Sequence, residues 1–202
     1  HAHDWLSFLA GIEAKKVSGK PLVLHMHATE FDRTGGQGAN AEVYAIERYA
    51  MERADKVVAV SNYTKQKIVE AYGIHPGKVT VVHNGIDAED YTHTTARLEE
   101  LREHGTKVVL FTGRLTVQKG PEYFIRAAKR VLDFRPDTLF VIAGSGDMEY
   151  ALMREAASLG ISDKVIFVGF VRGTELDALY RTADRFVMPS VSEPFGITPL
   201  ES

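Results

Sequence analysis

The residues most able to do chemistry sit in three groups. Near the C-terminus, "SEPFGITPLES" carries Glu193 and Glu201, two carboxylates spaced as E-x7-E with Pro194, Gly196 and Pro199 between them. In "TGRLTVQKG", residues 112–120, Arg114 and Lys119 share one turn flanked by Gly113 and Gly120. Two His-x-His pairs, His1/His3 and His25/His27, complete the set. Paired carboxylates suit acid–base work, paired cations suit a diphosphate, and paired imidazoles suit a metal.

Each group has a plainer structural reading beside the chemical one. Pro194 and Gly196 prevent a continuous helix from Glu193, which places Glu193 on a loop after the strand "RFVMPS". Thr198, Pro199 and Glu201 then read as N-cap, N1 and N3 of a T-x-x-E capping box. That explains Glu201 structurally and leaves Glu193 unexplained. Arg114 and Lys119 would each pass as solvated surface cations, but together beside a helix N-terminus, with glycines that let the backbone approach, they favour a diphosphate. "AGSGD" places Gly144 and Gly146 where a flat base or ribose could approach, although Glu149 replaces the third glycine of a full dinucleotide fingerprint. His25 and His27, alternating on a strand, could point together. No carboxylate or further histidine follows either pair at a recognisable ligand spacing, so no metal centre is expected. One of the two is expected to be a packed or hydrogen-bonded core residue and the other to serve a site.

These residues need a scaffold that brings loop ends together, and the chain alternates short apolar strands with helices throughout. "DWLSFLAGIEAKK" is helical by period and ends at Gly19, and "KPLVLHMH" follows as a buried strand. "NAEVYAIERYAMERA" is a helix, "DKVVAVS" a strand, "NYTKQKIVEAYG" a helix with Asn62 as its candidate cap, and "KVTVVHNG" a strand. The polar segment "DAEDYTHTTARLEELREHG" interrupts the rhythm as a linker would. It then restarts as "KVVLFTG", "PEYFIRAAKRVLDF", "TLFVIAG", "MEYALMREAASLG", "KVIFVGF", "TELDALYRTA" and "RFVMPS". This is doubly wound α/β grammar, with parallel sheets covered on both faces. In such sheets ligands bind outside the carboxyl ends of the strands, where His25 and His27, "TGRLTVQKG", "AGSGD", "VGFV" and "PSVSEPFG" fall. The mobile-looking "RTGGQG", residues 33–38, reads equally as a lid or a plain connection.

Composition excludes several classes of function. With 202 residues, 45% hydrophobic and 25% charged, the chain reads as globular. Its formal net charge of -3 argues against a general grip on nucleic acid. It has no cysteine, which removes disulfides and thiol catalysis and fits a cytoplasmic setting. No apolar run reaches the ~18 residues of a membrane span.

Taken in order along nearly the whole chain, "HAHDW", "HMHATEFDRTGG", "VSNYTK", "VVHNGID", "TGRLTVQKG", "AGSGD", the "VGFV" turn and the E-x7-E stretch resemble the GT-B glycosyltransferases of family 4, in particular the glycogen and starch synthase branch. The resemblance implies two Rossmann-like doubly wound domains, both incomplete here: 1–90 from the acceptor-side domain, 91–106 a linker, and 107–202 from the nucleotide-sugar-binding domain. A fragment of this kind is expected to be inactive alone.

The family also implies a retaining hexosyltransferase that moves glucose from ADP- or UDP-glucose to an α-glucan without a metal or other cofactor. Other glycosides, such as a sucrose-phosphate-like product or a surface glycan, are the alternative within the fold; a non-catalytic nucleotide-sugar-binding protein is the alternative outside enzymes. By resemblance, Arg114 and Lys119 neutralise the diphosphate, Glu193 meets the transferred sugar, and His27 lies at that sugar's far edge. Glu201 meets the ribose, the backbone of Gly196 and Ile197 approaches the phosphates, and Gly113, Gly144, Gly146, Phe170 and Val171 line the nucleotide site.

Overall fold

The computed structural model describes residues 1–36, 38–85 and 105–202. The interrupting polar segment, and with it most of the expected linker, lies outside these residues. The described chain forms two compact units: one from His1–Gly85 with Ser192–Phe195, the other from residues 105–191 with Gly196–Ser202.

The first unit is a four-stranded parallel sheet in the order β1 (Ala2–His3), β2 (Val23–Met26), β3 (Lys56–Ala59) and β4 (Val79–Val81). Helices α1 (Asp4–Ser18), α2 (Glu30–Arg33), α3 (Ala41–Arg53) and α4 (Asn62–Tyr72) connect the strands. Phe8 and Ile12 of α1, Leu24 and Met26 of β2, Ala50 and Met51 of α3, Val57 and Ala59 of β3 and Ile68 of α4 form one buried cluster. Burying the Phe, Ile, Leu, Met and Val side chains among these contributes ~1.5–3 kcal/mol each.

Helix ends explain several departures from the sequence reading. The cap of α4 is Ser61, whose Oγ accepts the Thr64 N–H at 3.0 Å, so Asn62 is the first helical residue and not the cap. Ser61 is extended, at φ -156° and ψ 165°, as a capping residue must be. Strand β1 precedes the first helix, where the sequence reading began on α1 itself. The short helix α2 was also unforeseen; the capping box Thr29/Asp32 starts it, with the Thr29 N–H donating to Asp32 Oδ2 at 2.8 Å.

Asp32 is fully buried and collects donors from three sources. Oδ2 also accepts from the Thr29 hydroxyl at 2.7 Å, while Oδ1 accepts from Lys67 Nζ and, at 2.6 Å, from Ser192 Oγ. Burial alone would raise its pKa, but Lys67, Ser192 and Thr29 outweigh it and hold the carboxyl below its ordinary value. A depressed folded pKa adds stability that is complete above the unfolded pKa, ~3.9, and is lost as pH falls through the folded one. Asp32→Asn is therefore expected to destabilise this unit by roughly 1.5–3 kcal/mol at pH 7, with the gap to wild type closing below about pH 4. Urea unfolding followed by Trp5, the sole tryptophan and a neighbour of this core, measures it. A gap that does not change with pH would overturn the assignment.

The second unit is also a four-stranded parallel sheet, ordered β7 (Val165–Gly169), β6 (Thr138–Ala143), β5 (Lys107–Thr112), β8 (Arg185–Phe186). Its helices are α5 (Pro121–Leu132), α6 (Glu149–Ser158), α7 (Thr174–Thr182) and the one-turn α8 (Thr198–Glu201). Alternate residues serve opposite faces. Phe111, Phe140 and Ile142 pack with Phe124 and Ile125 of α5 and Leu152 of α6, whereas Val108, Leu110 and Val141 pack with Leu179 of α7. Both faces are covered, as the continuous apolar runs of β5 and β6 require. The chain steps outward from β5 to β7 and then returns to β8 on the other side of β5, which creates a topological switch point. The strand foreseen over "RFVMPS" pairs only at Arg185 and Phe186.

Candidate functional site

At the carboxyl ends of β5, β6 and β7, the second unit has a cavity of about 420 Å³. Its wall comes from the turn after β5 (Thr112, Gly113, Arg114), the turn after β6 (Ala143, Gly144, Ser145) and the turn after β7 (Phe170, Val171), closed by Leu176, Tyr180 and Thr198. Five residues singled out from sequence thus share one wall: Gly113, Arg114, Gly144, Phe170 and Val171. Arg114 supplies a cation and an exposed side chain, and Phe170, 72% exposed, supplies a flat apolar surface. A cavity with one charged edge and one aromatic edge suits a ligand that is anionic at one end and planar at the other.

The glycines here have a function that the sequence reading did not foresee. A Cβ on Gly144, at φ 146°, would stand 1.9 Å from the Gly113 carbonyl oxygen. One on Gly146 would stand 2.4 Å from the Leu115 carbonyl oxygen. The Cβ side of both glycines thus faces the backbone of the 113–115 turn, while Gly144 also lines the cavity and Gly146 does not. The two turns are also hydrogen-bonded: Gly113 N–H to Ala143 O at 3.0 Å, Leu115 N–H to Ser145 O at 3.0 Å and Met148 N–H to Leu115 O at 3.1 Å. Lys119 ends a 3-10 turn, Val117–Lys119, and is followed by Gly120 in the left-handed region at φ 61°. There a Cβ would meet the Pro189 carbonyl oxygen at 2.4 Å, so the cation-bearing turn lies directly against the segment after β8.

Glu201 has a different partner from the one expected. Ile197 already has helical dihedrals, φ -66° and ψ -43°, and serves as the N-cap without a side-chain bond. Thr198 therefore stands inside the first turn, with Pro199 after it, and the expected capping box does not form. Glu201 Oε2 instead accepts from the Tyr180 hydroxyl at 3.2 Å, and that hydroxyl is 2.9 Å from Thr112 Oγ1 at the end of β5. Tyr180 thus joins the cavity wall to the second glutamate. In the sequence it was one more residue of an amphipathic helix, with no local signal to mark it. Gly196 is buried at φ 79°, and Ile197 is 40% exposed.

In the first unit, His27 follows β2, its backbone N–H donating to Asp4 Oδ1 at 2.9 Å. Its ring stacks on that of His25 with centroids 4.3 Å apart, so the two do point together. Glu193, half-buried, falls in the Ser192–Phe195 segment that groups with this unit.

Comparison with known proteins gives a consistent result. The family profile described as "Glycosyl transferases group 1" matches residues 93–202, more than half of the chain, and that described as "Glycosyltransferase Family 4" matches residues 1–90. An uncharacterised glycosyltransferase of Methanocaldococcus jannaschii is 37% identical over all of this chain and 54% of its own length. The glycogen synthase of Mycobacterium tuberculosis (strain H37Rv) is 34% identical, over all of this chain and 49% of its own. The chain spans about half the length of the curated relatives it matches. Among solved structures, that of Anabaena HepE in complex with UDP and glucose aligns with a TM-score of 0.83 at 22% identity, covering 98% of this chain and 54% of that one. This likeness shows the fold, with two Rossmann-like parallel sheets of the GT-B type. Among the described residues, no helix is long and apolar enough to cross a membrane.

Proposed function

Because the chain belongs to the glycosyl transferases group 1 family, we propose that it carries the donor-binding part, and some of the acceptor-binding part, of a cytoplasmic retaining hexosyltransferase that extends an α-glucan from ADP- or UDP-glucose. Residues 107–202 are assigned to the donor side, 1–90 to the acceptor side and 91–106 to the connection between them. The observation that carries this reading is the cavity at the carboxyl edge of the second sheet, with Arg114 at one side and Phe170 and Val171 at another.

In this reading the nucleoside lies against Phe170, Val171 and the turn at Gly144. Glu201, oriented by the Tyr180 hydroxyl, accepts from the ribose hydroxyls. Arg114 and Lys119, with the Gly113 turn and the backbone at Gly196 and Ile197, hold the diphosphate. Glu193 binds hydroxyls of the transferred sugar, and His27 serves its far edge. As the glycosidic bond breaks, negative charge grows on the departing diphosphate, and fixed cations stabilise that charge more in the transition state than before it. This stabilisation is assigned to side chains, with no metal or other cofactor in the transfer step. Neither glutamate is assigned to proton transfer.

The chain alone is expected to be inactive, so the test incubates protein extended to the full length of its curated relatives, of which the chain spans about half, with labelled ADP-, UDP- and GDP-glucose, offering glycogen or small sugar acceptors. Label entering glycogen from ADP- or UDP-glucose is the expected result. Label entering only a small or lipid-linked acceptor would replace the glucan with another glycoside. Tight donor binding with no transfer to any acceptor would make the protein a nucleotide-sugar binder.

A further inference from the structure

The two His-x-His pairs are distant in sequence but adjacent in the first sheet. His3 and His25 are register partners across β1 and β2, and alternation along each segment brings His1 and His27 to the same face. Ring centroids are 4.5 Å apart for His1 and His3, 5.1 Å for His3 and His25 and 5.6 Å for His1 and His25. One ring nitrogen from each of these three lies within 4.8 Å of the other two.

A second observation points to a ligand. His25 is half-buried, and its Nε2 is buried with no hydrogen-bond partner. Such atoms are uncommon, because burial removes the water that would otherwise satisfy them.

We propose that His1, His3 and His25 form a site for one divalent transition cation of the Zn²⁺ class, with a remaining coordination position open to solvent. Imidazole is the commonest side-chain ligand for such ions, and three histidines with an open position form a recognised ligand set. Zinc–nitrogen bonds of ~2.0–2.1 Å at tetrahedral angles require ligand nitrogens about 3.3 Å apart. His1 and His3 are exposed, so their rings can rotate to close the present spacing while His25 remains seated. His3 Nδ1 lies 2.9 Å from His27 Nε2, which leaves His3 Nε2 as its ligand atom and makes His27 an outer partner that orients it. None of the three proposed ligands is assigned a part in the transfer chemistry; the outer partner His27 is.

The test is titration of tag-free protein with Co²⁺, followed by visible absorption, and with Zn²⁺ by calorimetry at pH 7.5. One ion per chain is expected, with affinity at least about tenfold weaker in His3→Ala and in His25→Ala. His75→Ala, in a turn where that ring accepts the Gly77 N–H, is expected to bind as wild type does. His3→Ala alters an exposed side chain, so it decides the question even if His25→Ala does not fold; Trp5 fluorescence reports the folding of each. Absence of Co²⁺ and Zn²⁺ binding at submillimolar ion, or wild-type affinity in His3→Ala, would overturn the proposal.

Discussion

Replacing Arg114 with alanine is expected to lower turnover from the nucleotide-sugar donor by about 10²- to 10³-fold, mainly in kcat. The side chain is exposed on the cavity wall and contributes nothing to the core, so the thermal midpoint should be unchanged. Its proposed partner is charge that grows as the leaving group departs, and losing an interaction of that kind lowers kcat more than it raises KM. Arg114→Lys should recover only part of the rate, because an ammonium keeps the charge but loses the forked geometry. Lys119→Ala should cause a similar loss from the neighbouring turn. Initial rates of nucleoside diphosphate release measure all three. Wild-type turnover in both alanine variants would remove the diphosphate assignment and favour a protein that binds without transferring.

The largest loss of stability is expected from Arg33→Ala. Glu47 has a side chain with no solvent exposure, and its carboxylate accepts from Arg33 Nη2, from the Tyr72 hydroxyl and from the Glu30 N–H at 3.2 Å. Arg33 also bonds Glu30 Oε2 at 3.0 Å and the Ala28 carbonyl at 2.8 Å. Removing the guanidinium leaves a buried carboxylate without its counter-charge, a change that costs about 3–5 kcal/mol. Burial pushes the Glu47 pKa up, against the donors Tyr72 and Arg33, and loss of Arg33 pushes it further. A raised folded pKa favours folding below the unfolded value, ~4.3, and that advantage disappears as pH rises. The penalty of Arg33→Ala should therefore be greatest near neutral pH and shrink under acid. Urea midpoints by Trp5 fluorescence measure it, with Arg48→Ala as the comparison. Arg48 pairs with Glu52 on the surface at 3.1 Å, a contact expected to contribute no more than ~0.5 kcal/mol. Equal effects in the two variants would refute the account.

What the sequence made legible was periodic, and what it hid was long-range. The helices at 41–53, 62–72, 121–132 and 149–158 and the strands at 107–112 and 138–143 follow from apolar spacing and flanking turn residues. Strand β1 has two residues, too few to carry a period, and it exists because Ala2 and His3 pair with Leu24 and His25. Ser61 and Asn62 are both good caps, and only the extended backbone of Ser61 chooses between them. Thr198 matched a capping pattern, but Ile197 had already entered the helix. Gly113, Arg114, Gly144, Phe170 and Val171 line one cavity because each follows a parallel strand, where such sheets leave a crevice. Tyr180 was missed because nothing within its own helix marks a hydroxyl that reaches the end of β5. The meeting of the histidine pairs has no signal along the chain, because it arises across the sheet from the pairing of His3 with His25.

The contact of Gly144 and Gly146 with the backbone at 113–115 has a consequence for altering this protein by design. The two turns form a single part: each carries the hydrogen bonds that shape the other, and neither glycine accepts a side chain without displacing its neighbour's carbonyl. A graft that imports one turn from a relative would bring a surface cut for a different counterpart. If the cavity binds the donor as proposed, its preference should be transplantable only when both turns travel together, and mutational libraries that vary them independently will mostly sample broken pairs.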